Sequence, residues 1–242
     1  MTARALAAQA RAEALLQVRR GENMVVTLVV PLGVLVFFSK VDAVSTDLAQ
    51  PVDFLVPGVL ALAVMASAMV SLGIATGFER RYGVLKRLGS TPLSRGGLVA
   101  AKTLTVLAIE VVQVVLVVAV GAAIGWHVPA GIVPALGLLL LGTVAFAGIG
   151  VLMAGTLRAE ANLAAANGLF LVLLFLGGMA YPLANLPDPV AAFARLLPAA
   201  ALSETVRGVL TSEPFPVGEL VVLVVWAVGA PVLAARYFRW EE

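Results

Sequence analysis

The residues from Phe54 to Phe78 form a run of 25 positions that contains no charged side chain. A helix needs about 20 predominantly apolar residues to cross the hydrocarbon core of a bilayer. Five further apolar runs occur, and only the third of the six carries a charge, that of Glu110. This pattern predicts an all-α integral membrane protein with six transmembrane helices, at residues 24–39, 54–78, 103–126, 128–157, 161–181 and 220–235.

The composition agrees with a chain that faces lipid on most sides. Hydrophobic residues make up 61% of the sequence and charged residues 12%, against roughly 25% charged residues in soluble proteins. There is no cysteine and one histidine, His127, so disulfides and thiol chemistry are excluded and a zinc or haem site is not expected. A formal net charge of +2 is too small to indicate a nucleic-acid partner.

The basic residues are distributed unevenly among the segments outside the spans. Thirteen of the 16 Lys and Arg residues lie in four segments: before span one, between spans two and three, between spans four and five, and after span six. Only Lys40, Arg195 and Arg207 lie in the other loops, which follow spans one, three and five. Cytoplasmic segments carry an excess of Lys and Arg, so we predict that both termini and the 79–102 loop lie in the cytoplasm. We predict that the spans and loops form a single transmembrane domain, residues 1–242.

The cytoplasmic segment 79–92 is predicted to form a short amphipathic helix that ends near Gly89 and Pro92. On a helical wheel its apolar residues share one arc and its charged residues face away, except for Arg81, which breaks the pattern. The arc consists of Tyr82, Val84, Leu85 and Leu88, and the opposite face of Glu79, Arg80, Lys86 and Arg87. Two interpretations are open: a basic loop on anionic headgroups, or a docking element whose apolar arc enters a groove of a cytoplasmic partner.

The stretch between spans five and six is divided by prolines into pieces too short to cross a membrane, and yet it is too apolar for a solvated loop. The prolines are Pro182, Pro187, Pro189 and Pro198. Broken backbone is tolerated at membrane depth only where it is buried in protein or lines a cavity. We predict a re-entrant helical hairpin at residues 182–212 on the outer side, with a surface-lying amphipathic loop as the alternative.

Glu110 lies close to the middle of span three, and Gln113 follows one helical turn later. A charge at the centre of a bilayer costs roughly 2.5–3.5 kcal/mol on insertion scales, so the carboxyl group should face protein or water. It is either part of a pathway for a cation or proton, or a structural hydrogen-bonding partner of another span. Candidate partners are Ser67 and Ser71 of span two and Asn162 and Asn167 of span five.

No Gly-Lys dipeptide occurs in the sequence, so the phosphate-binding loop G-x-x-x-x-G-K-[ST] is absent. No nucleophile–base arrangement is evident either. The chain is therefore not expected to be an enzyme or to bind a cofactor itself, and any transport would be driven by a separate ATPase or by an ion gradient.

Three sets of residues resemble those of the type-2 ABC transporter permeases, especially the small stand-alone ones of the daunorubicin-resistance kind. They are Phe54-Leu-Val-Pro-Gly58, then Glu79-Arg80 with Leu88-x-x-x-Pro92-Leu-Ser, and finally Gly178-x-x-x-Pro182, Leu186-Pro187 and Leu197-Pro198. The resemblance depends on their order along the chain and on the six predicted spans. The resemblance covers essentially the whole chain.

The resemblance implies a permease in the cell membrane of a prokaryote that exports an amphipathic or hydrophobic substrate, such as a drug, a lipid or a lipid-linked molecule. Residues 79–92 would be the coupling helix that docks on a separate ATPase, which would hold ATP and Mg²⁺. Residues 1–23 would be a cytoplasmic interfacial segment, residues 182–212 would gate the exit, and a second copy or a paralogue would complete the permease. Two alternatives stay open: a proton-coupled secondary transporter that uses Glu110, and a haem-exporter-like assembly factor.

Overall fold

A computed structural model describes residues 21–40, 51–89, 95–211 and 214–240 of the chain. Every regular element within these ranges is a helix. We number the α-helices α1 Gly21–Lys40, α2 Pro51–Val64, α3 Leu72–Arg81, α4 Val84–Gly89, α5 Arg95–Ala123, α6 Ile132–Thr156, α7 Ala159–Leu176, α8 Asp188–Ala194, α9 Pro198–Leu210 and α10 Val217–Tyr237. All but the last three residues of the predicted interfacial segment lie outside the described residues.

Five of the described helices are long and apolar enough to cross a membrane, which confirms the all-helical membrane fold. They are Pro51–Arg81, Gly97–Ala123, Ile132–Thr156, Ala159–Leu176 and Val217–Tyr237. The first predicted span corresponds to α1, Gly21–Lys40, whose side chains are described only from residue 28 onward. A count of six spans therefore stays a prediction.

The largest difference from the predicted spans is at α5, which begins at Arg95, eight residues before the span predicted at 103–126. Two further differences lie at Pro and Gly residues. The span predicted at 128–157 becomes helical only at Ile132, after Pro129, and the one predicted at 161–181 ends at Leu176, before the Gly177–Gly178 pair. Both differences follow from residues that begin or end helices rather than continue them.

A π-helical segment, Met65–Ser71, joins α2 to α3, so that Pro51–Arg81 is one helical element of 31 residues. Hydrogen bonds in a π-helix run from i to i+5, and such segments are frequently found at functional sites. This element lies in the core of the bundle, and most residues of α2 are buried. Nothing in the apolar pattern of the span predicts the π segment.

Glycines allow the central helices to approach closely. A Cβ atom added at Gly73 would lie 3.1 Å from the Cα of Gly150, and one added at Gly148 would lie 2.5 Å from the backbone nitrogen of Pro231. Small residues at such points let helix backbones come into van der Waals contact within a membrane. Helix α6 thus packs closely against both α3 and α10.

Candidate functional site

Three groups of residues lie at different points along the Pro51–Arg81 element: the junction at its C-terminal end (residues 79–89), a polar cluster around Glu110 at its middle, and the end cluster around Arg207 at its N-terminal end. The sequence singled out residues of the first two groups.

The junction is not the single helix that the sequence predicted for residues 79–92. Helix α3 ends at Arg81, Tyr82 and Gly83 form a turn, and α4 begins at Val84. Gly83 has a φ of 72°, in the left-handed region that a residue without a Cβ atom enters readily. The helical wheel assumed a continuous helix, so the predicted common arc is wrong. Residues 90–92 lie outside the described residues.

Two charged residues at the end of α3 bind neighbouring parts of the same chain. Lys102 of α5 is 2% exposed and donates a hydrogen bond from Nζ to Oε2 of Glu79 at 2.7 Å. Arg80, which the wheel placed on the outward charged face, is buried and donates from Nη2 to the carbonyl oxygen of Leu157 at 2.6 Å. That carbonyl lies just beyond the end of α6, where the last helical carbonyls need partners. Glu79 and Arg80 thus fasten α3 to α5 and to the end of α6.

A third contact at the junction is an ion pair between Arg81 and Glu160 of α7, both of them exposed. Exposed pairs contribute little to stability, roughly 0–1 kcal/mol. This pair nevertheless links the C-terminal end of α3 to a third neighbour. The end of the central span is therefore tied to the helices on both sides of the tight turn between α6 and α7.

The predicted docking residues separate into two groups in the structure. Leu85 is fully buried within the chain, so it is not available to a partner. Tyr82 is 72% exposed and Val84 is 45% exposed. The side chain of Leu88 lies outside the described residues. The surface that the junction offers to a partner therefore includes Tyr82, Val84 and the exposed Lys86.

At the middle of the span, Glu110 is buried in a cluster with Ser67 and Thr143. The hydroxyl of Ser67, on the π segment, lies 3.2 Å from Oε1, and the Thr143 hydroxyl of α6 donates to Oε2. Both hydroxyls also lie 2.9 Å from the carbonyl four residues earlier in their own helices. The carboxyl group thus joins α5, α6 and the π segment. Gln113, one turn further along α5, is likewise buried.

The sequence identified one of the two partners of Glu110. Ser67 was a candidate, but Thr143 was missed, although it is a hydroxyl residue in the middle of an apolar span and that signal was available. Asn162 instead donates to the carbonyl of Gly73 at 2.9 Å, and Asn167 to the carbonyl of Leu163 within its own helix at 2.8 Å.

The predicted hairpin contains three short helical pieces, each of which starts at a proline or directly after one. Pro182 precedes a 3₁₀ turn at Leu183–Asn185, Pro187 precedes α8, and Pro198 is the first residue of α9. Proline suits the first turn of a helix because its missing N–H would have had no partner there. Helix α9 is largely buried against α2, α6 and α10. The segment is therefore packed onto the bundle.

Arg207 of α9 is the centre of the third group, the end cluster. Its Nη2 donates to the carbonyl oxygen of Gly178 at 2.6 Å, Nη1 pairs with Glu204, and the guanidinium lies 3.9 Å from the ring centroid of Phe54. Cations over aromatic faces are attracted by the ring quadrupole. Sequence reasoning noted Arg207 only as one of the few basic residues of the outer loops and missed this cluster.

Two of the motifs that the sequence singled out meet here. A Cβ atom at Gly58 would collide with the carbonyl of Met179, and Gly178, with a φ of 63°, forms the turn that brings this carbonyl to α2. Phe54-Leu-Val-Pro-Gly58 and the segment that starts at Gly178 therefore form one contact between α2 and the turn after α7.

With these positions established, comparison with known proteins decides the family. A family model described as ABC-2 type transporter matches residues 4–211. The chain belongs to the ABC-2 type transporter family. The resemblance seen in the sequence is thereby confirmed. A comparison with curated proteins gives no match.

The matched range includes all three groups of residues in this ABC-2 protein. The chain is accordingly a multi-pass membrane protein and a permease component of an ABC transporter. Permeases of the ABC-2 family typically pair with an ATPase subunit.

Proposed function

We propose that this ABC-2 permease exports an amphipathic or hydrophobic substrate, with the energy supplied by ATP hydrolysis on a separate ATPase subunit that holds ATP and Mg²⁺. The family supports the pairing, and the absence of a Gly-Lys dipeptide means that the chain itself has no phosphate-binding loop of the common kind. We place six spans in a prokaryotic cell membrane with both termini in the cytoplasm, and a second permease copy or paralogue beside the chain.

One observation carries the proposal: a single helical element, Pro51–Arg81, connects the junction to the end cluster. At one end, Glu79 and Arg80 fasten it to α5 and to the end of α6. At the other, Phe54 contacts the Arg207 guanidinium of α9. A displacement at the exposed turn of Tyr82 and Val84 would therefore act on the packing of the outer segment through one continuous helix.

The ATPase would contact the exposed residues of the junction rather than the whole predicted arc. Tyr82 and Val84 present an aromatic and a branched aliphatic side chain next to the exposed cation Lys86. The two apolar side chains suit an apolar groove on a partner. Leu85 has a different role in this proposal: it packs α4 onto the permease, so that force on the turn reaches α3.

Glu110 fits a structural role better than a substrate or proton pathway. Its carboxyl group is 5% exposed and is held by hydroxyls from two neighbouring elements, so within one chain it does not face an open passage. In the proposed transporter it holds the π segment against α5 and α6.

The proposal is tested with the full-length chain co-expressed with each candidate ABC ATPase subunit of the same organism. We expect Tyr82→Asp and Val84→Asp each to reduce co-purification of the ATPase and permease-stimulated ATP hydrolysis by tenfold or more, because a charge in an apolar groove loses its contacts. Val128→Asp is the matched control, since Val128 is 48% exposed in a connecting segment at the predicted outer side.

A charge at Leu85 would be a poorer test, because it would also disturb the packing of α4. Equal ATP hydrolysis in the Val84→Asp and Val128→Asp variants would overturn the docking role of the junction. If the chain neither binds the ATPase nor stimulates it, the proposed function itself is wrong.

A further inference from the structure

A short segment that follows α10 folds back onto the C-terminal end of α6. Helix α10 ends at Tyr237, and Phe238 has an extended backbone conformation with a ψ of 129°. Although it lies outside the helix, Phe238 is only 1% exposed. Trp240 packs edge to face against it with ring centroids 5.4 Å apart, a favourable arrangement for two aromatic rings. We refer to residues 238–240 as the aromatic segment.

The ring of Phe238 occupies the space that Gly155 of α6 leaves free. A Cβ atom added at Gly155 would collide with this ring and would lie 3.1 Å from the Cα atom of Phe238. The backbone N–H of Arg239 donates to the carbonyl oxygen of Gly155 at 3.2 Å. Because the last carbonyls of a helix have no partner within it, the aromatic segment caps α6 with its backbone as well as with a side chain.

This contact is the second of two that join α6 to α10 through glycines. The first is at Gly148, which faces the backbone of Pro231. Gly155 and Phe238 each come seven residues later, so the two helices run in the same direction and the contacts lie two turns apart. Removal of the Phe238 ring would therefore free the end of α6 while the packing at Gly148 stays in place.

The same end of α6 also receives Arg80 of the junction. Its Nη2 donates to the carbonyl oxygen of Leu157, two residues after Gly155. Arg81 pairs with Glu160 of α7, and only two residues separate α6 from α7. A connection this short cannot take up movement of one helix without moving the other. The aromatic segment and the end of the central span thus hold the same turn.

We propose that the aromatic segment positions the junction for the ATPase: Phe238 fixes the end of α6, and the end of α6 in turn fixes Arg80. Phe238 is a positioning residue, since it acts on the junction through α6. Without its ring, the exposed turn of Tyr82 and Val84 would still bind an ATPase but would move more freely relative to the bundle. The effect on ATP hydrolysis rests on the proposed function, whereas the positioning itself does not.

The positioning is tested without an ATPase, by hydrogen–deuterium exchange of the full-length chain in lipid nanodiscs. We expect Phe238→Ala to raise the exchange rate of the backbone amides at residues 79–83 and 153–158 several-fold, because helix ends open more readily without their caps. Val228→Ala, at a 61% exposed site on α10, is the matched control and should leave both regions unchanged. A rise confined to residues 232–240 would overturn the proposal.

A double-mutant cycle distinguishes positioning from general packing. Arg80→Gln should itself raise the exchange rate at residues 79–83, and Phe238→Ala should add little to it because both act through the end of α6. Effects that are fully independent would overturn the proposal. If Phe238→Ala does not fold, Gly155→Ala displaces the ring instead, with Gly137→Ala as its control on the same helix, since nothing lies within 4 Å of a Cβ atom there.

With the ATPase present, Phe238→Ala should lower the maximal stimulation of ATP hydrolysis several-fold. The ATPase concentration that gives half of this maximum should stay within twofold, and Phe238→Leu should restore most of the stimulation. Tyr82→Asp should instead raise that concentration, since it acts on docking. Unchanged maximal stimulation in a variant with faster exchange would overturn the link to coupling. If Tyr82→Asp has no effect, the docking proposal fails, and the exchange rates still decide whether Phe238 positions the junction.

Discussion

Arg207 donates a hydrogen bond from Nη2 to the carbonyl oxygen of Gly178, 2.6 Å away and 29 residues earlier in the chain. The same guanidinium pairs with Glu204 and lies over Phe54, so one side chain joins α9, the turn after α7 and the start of the central span. Arg207 is 3% exposed. Because a buried cation is tolerated only where its bonds are made, this residue reports directly on the packing of the outer segment.

Replacement of Arg207 with Gln should lower the free energy of unfolding by about 2–3 kcal/mol, since hydrogen bonds to charged groups contribute about 1.5–3 kcal/mol each. Lys at this position should restore little, because it lacks the planar fork that reaches both acceptors. Thermal unfolding in detergent measures the effect. Arg195→Gln, at an exposed position just before α9, is the control, and an equal loss of stability there would contradict the role of Arg207.

A second prediction concerns Gly58, whose missing Cβ atom leaves room for the carbonyl of Met179. Gly58→Ala should destabilise the protein by about 1–3 kcal/mol, the usual cost of overpacking, and displace the turn after α7. Gly168→Ala is the matched control, since nothing lies within 4 Å of a Cβ atom there. If both variants unfold at the same temperature, the close approach of α2 to that turn is not significant for stability.

The Glu110 cluster predicts an energetic coupling between α5 and α6. In a double-mutant cycle, Glu110→Gln and Thr143→Val should be non-additive by about 0.5–2 kcal/mol, the range for polar contacts between membrane helices. Unfolding in mixed detergent micelles measures each variant.

Glu110→Gln should also retain ATP-driven transport, because Gln can still accept the hydroxyl of Ser67 or Thr143. Complete loss of transport in a stably folded Glu110→Gln variant would favour the pathway role instead. A cycle that is strictly additive would contradict the contact between Glu110 and Thr143.

The proposed topology can be tested with single cysteines, because the chain has none of its own. A membrane-impermeant thiol reagent should label Asp188→Cys in intact cells, and Lys86→Cys only after the membrane is permeabilised. Asp188 begins α8 and Lys86 is exposed on α4, so both positions are accessible to the reagent. Labelling of Asp188→Cys only from the cytoplasmic side would reverse the topology.

The sequence predicted the helical fold and its main spans because the lengths of uncharged runs are set by the thickness of the bilayer. It did not predict which faces of the helices meet. In a span such as 128–157 nearly every position is apolar, so the pattern contains no information about rotation around the helix axis. Thr143 stands out in this span as a hydroxyl residue, but the pattern does not show that its side of α6 meets Glu110.

The junction shows a different limit. A helical wheel places Leu85 beside Tyr82 only if the helix continues through Gly83, and the left-handed conformation of Gly83 interrupts it. The burial of Leu85 and Arg80 depends on α5, α6 and α7, which are distant in sequence. Charge segregation within fourteen residues could not reveal these contacts.

The π segment at Met65–Ser71 has a consequence for how the central span can change during evolution. In an α-helix each residue advances the side chain by about 100°, so deletion of one residue within α2 or α3 would turn Phe54 and Gly58 by about that angle relative to Glu79 and Arg80. Within the π segment the bonds run from i to i+5, so loss of one residue there can convert it to α-helix and leave the two ends close to their present phase. The π segment is therefore the point in this span at which a one-residue deletion should be tolerated best.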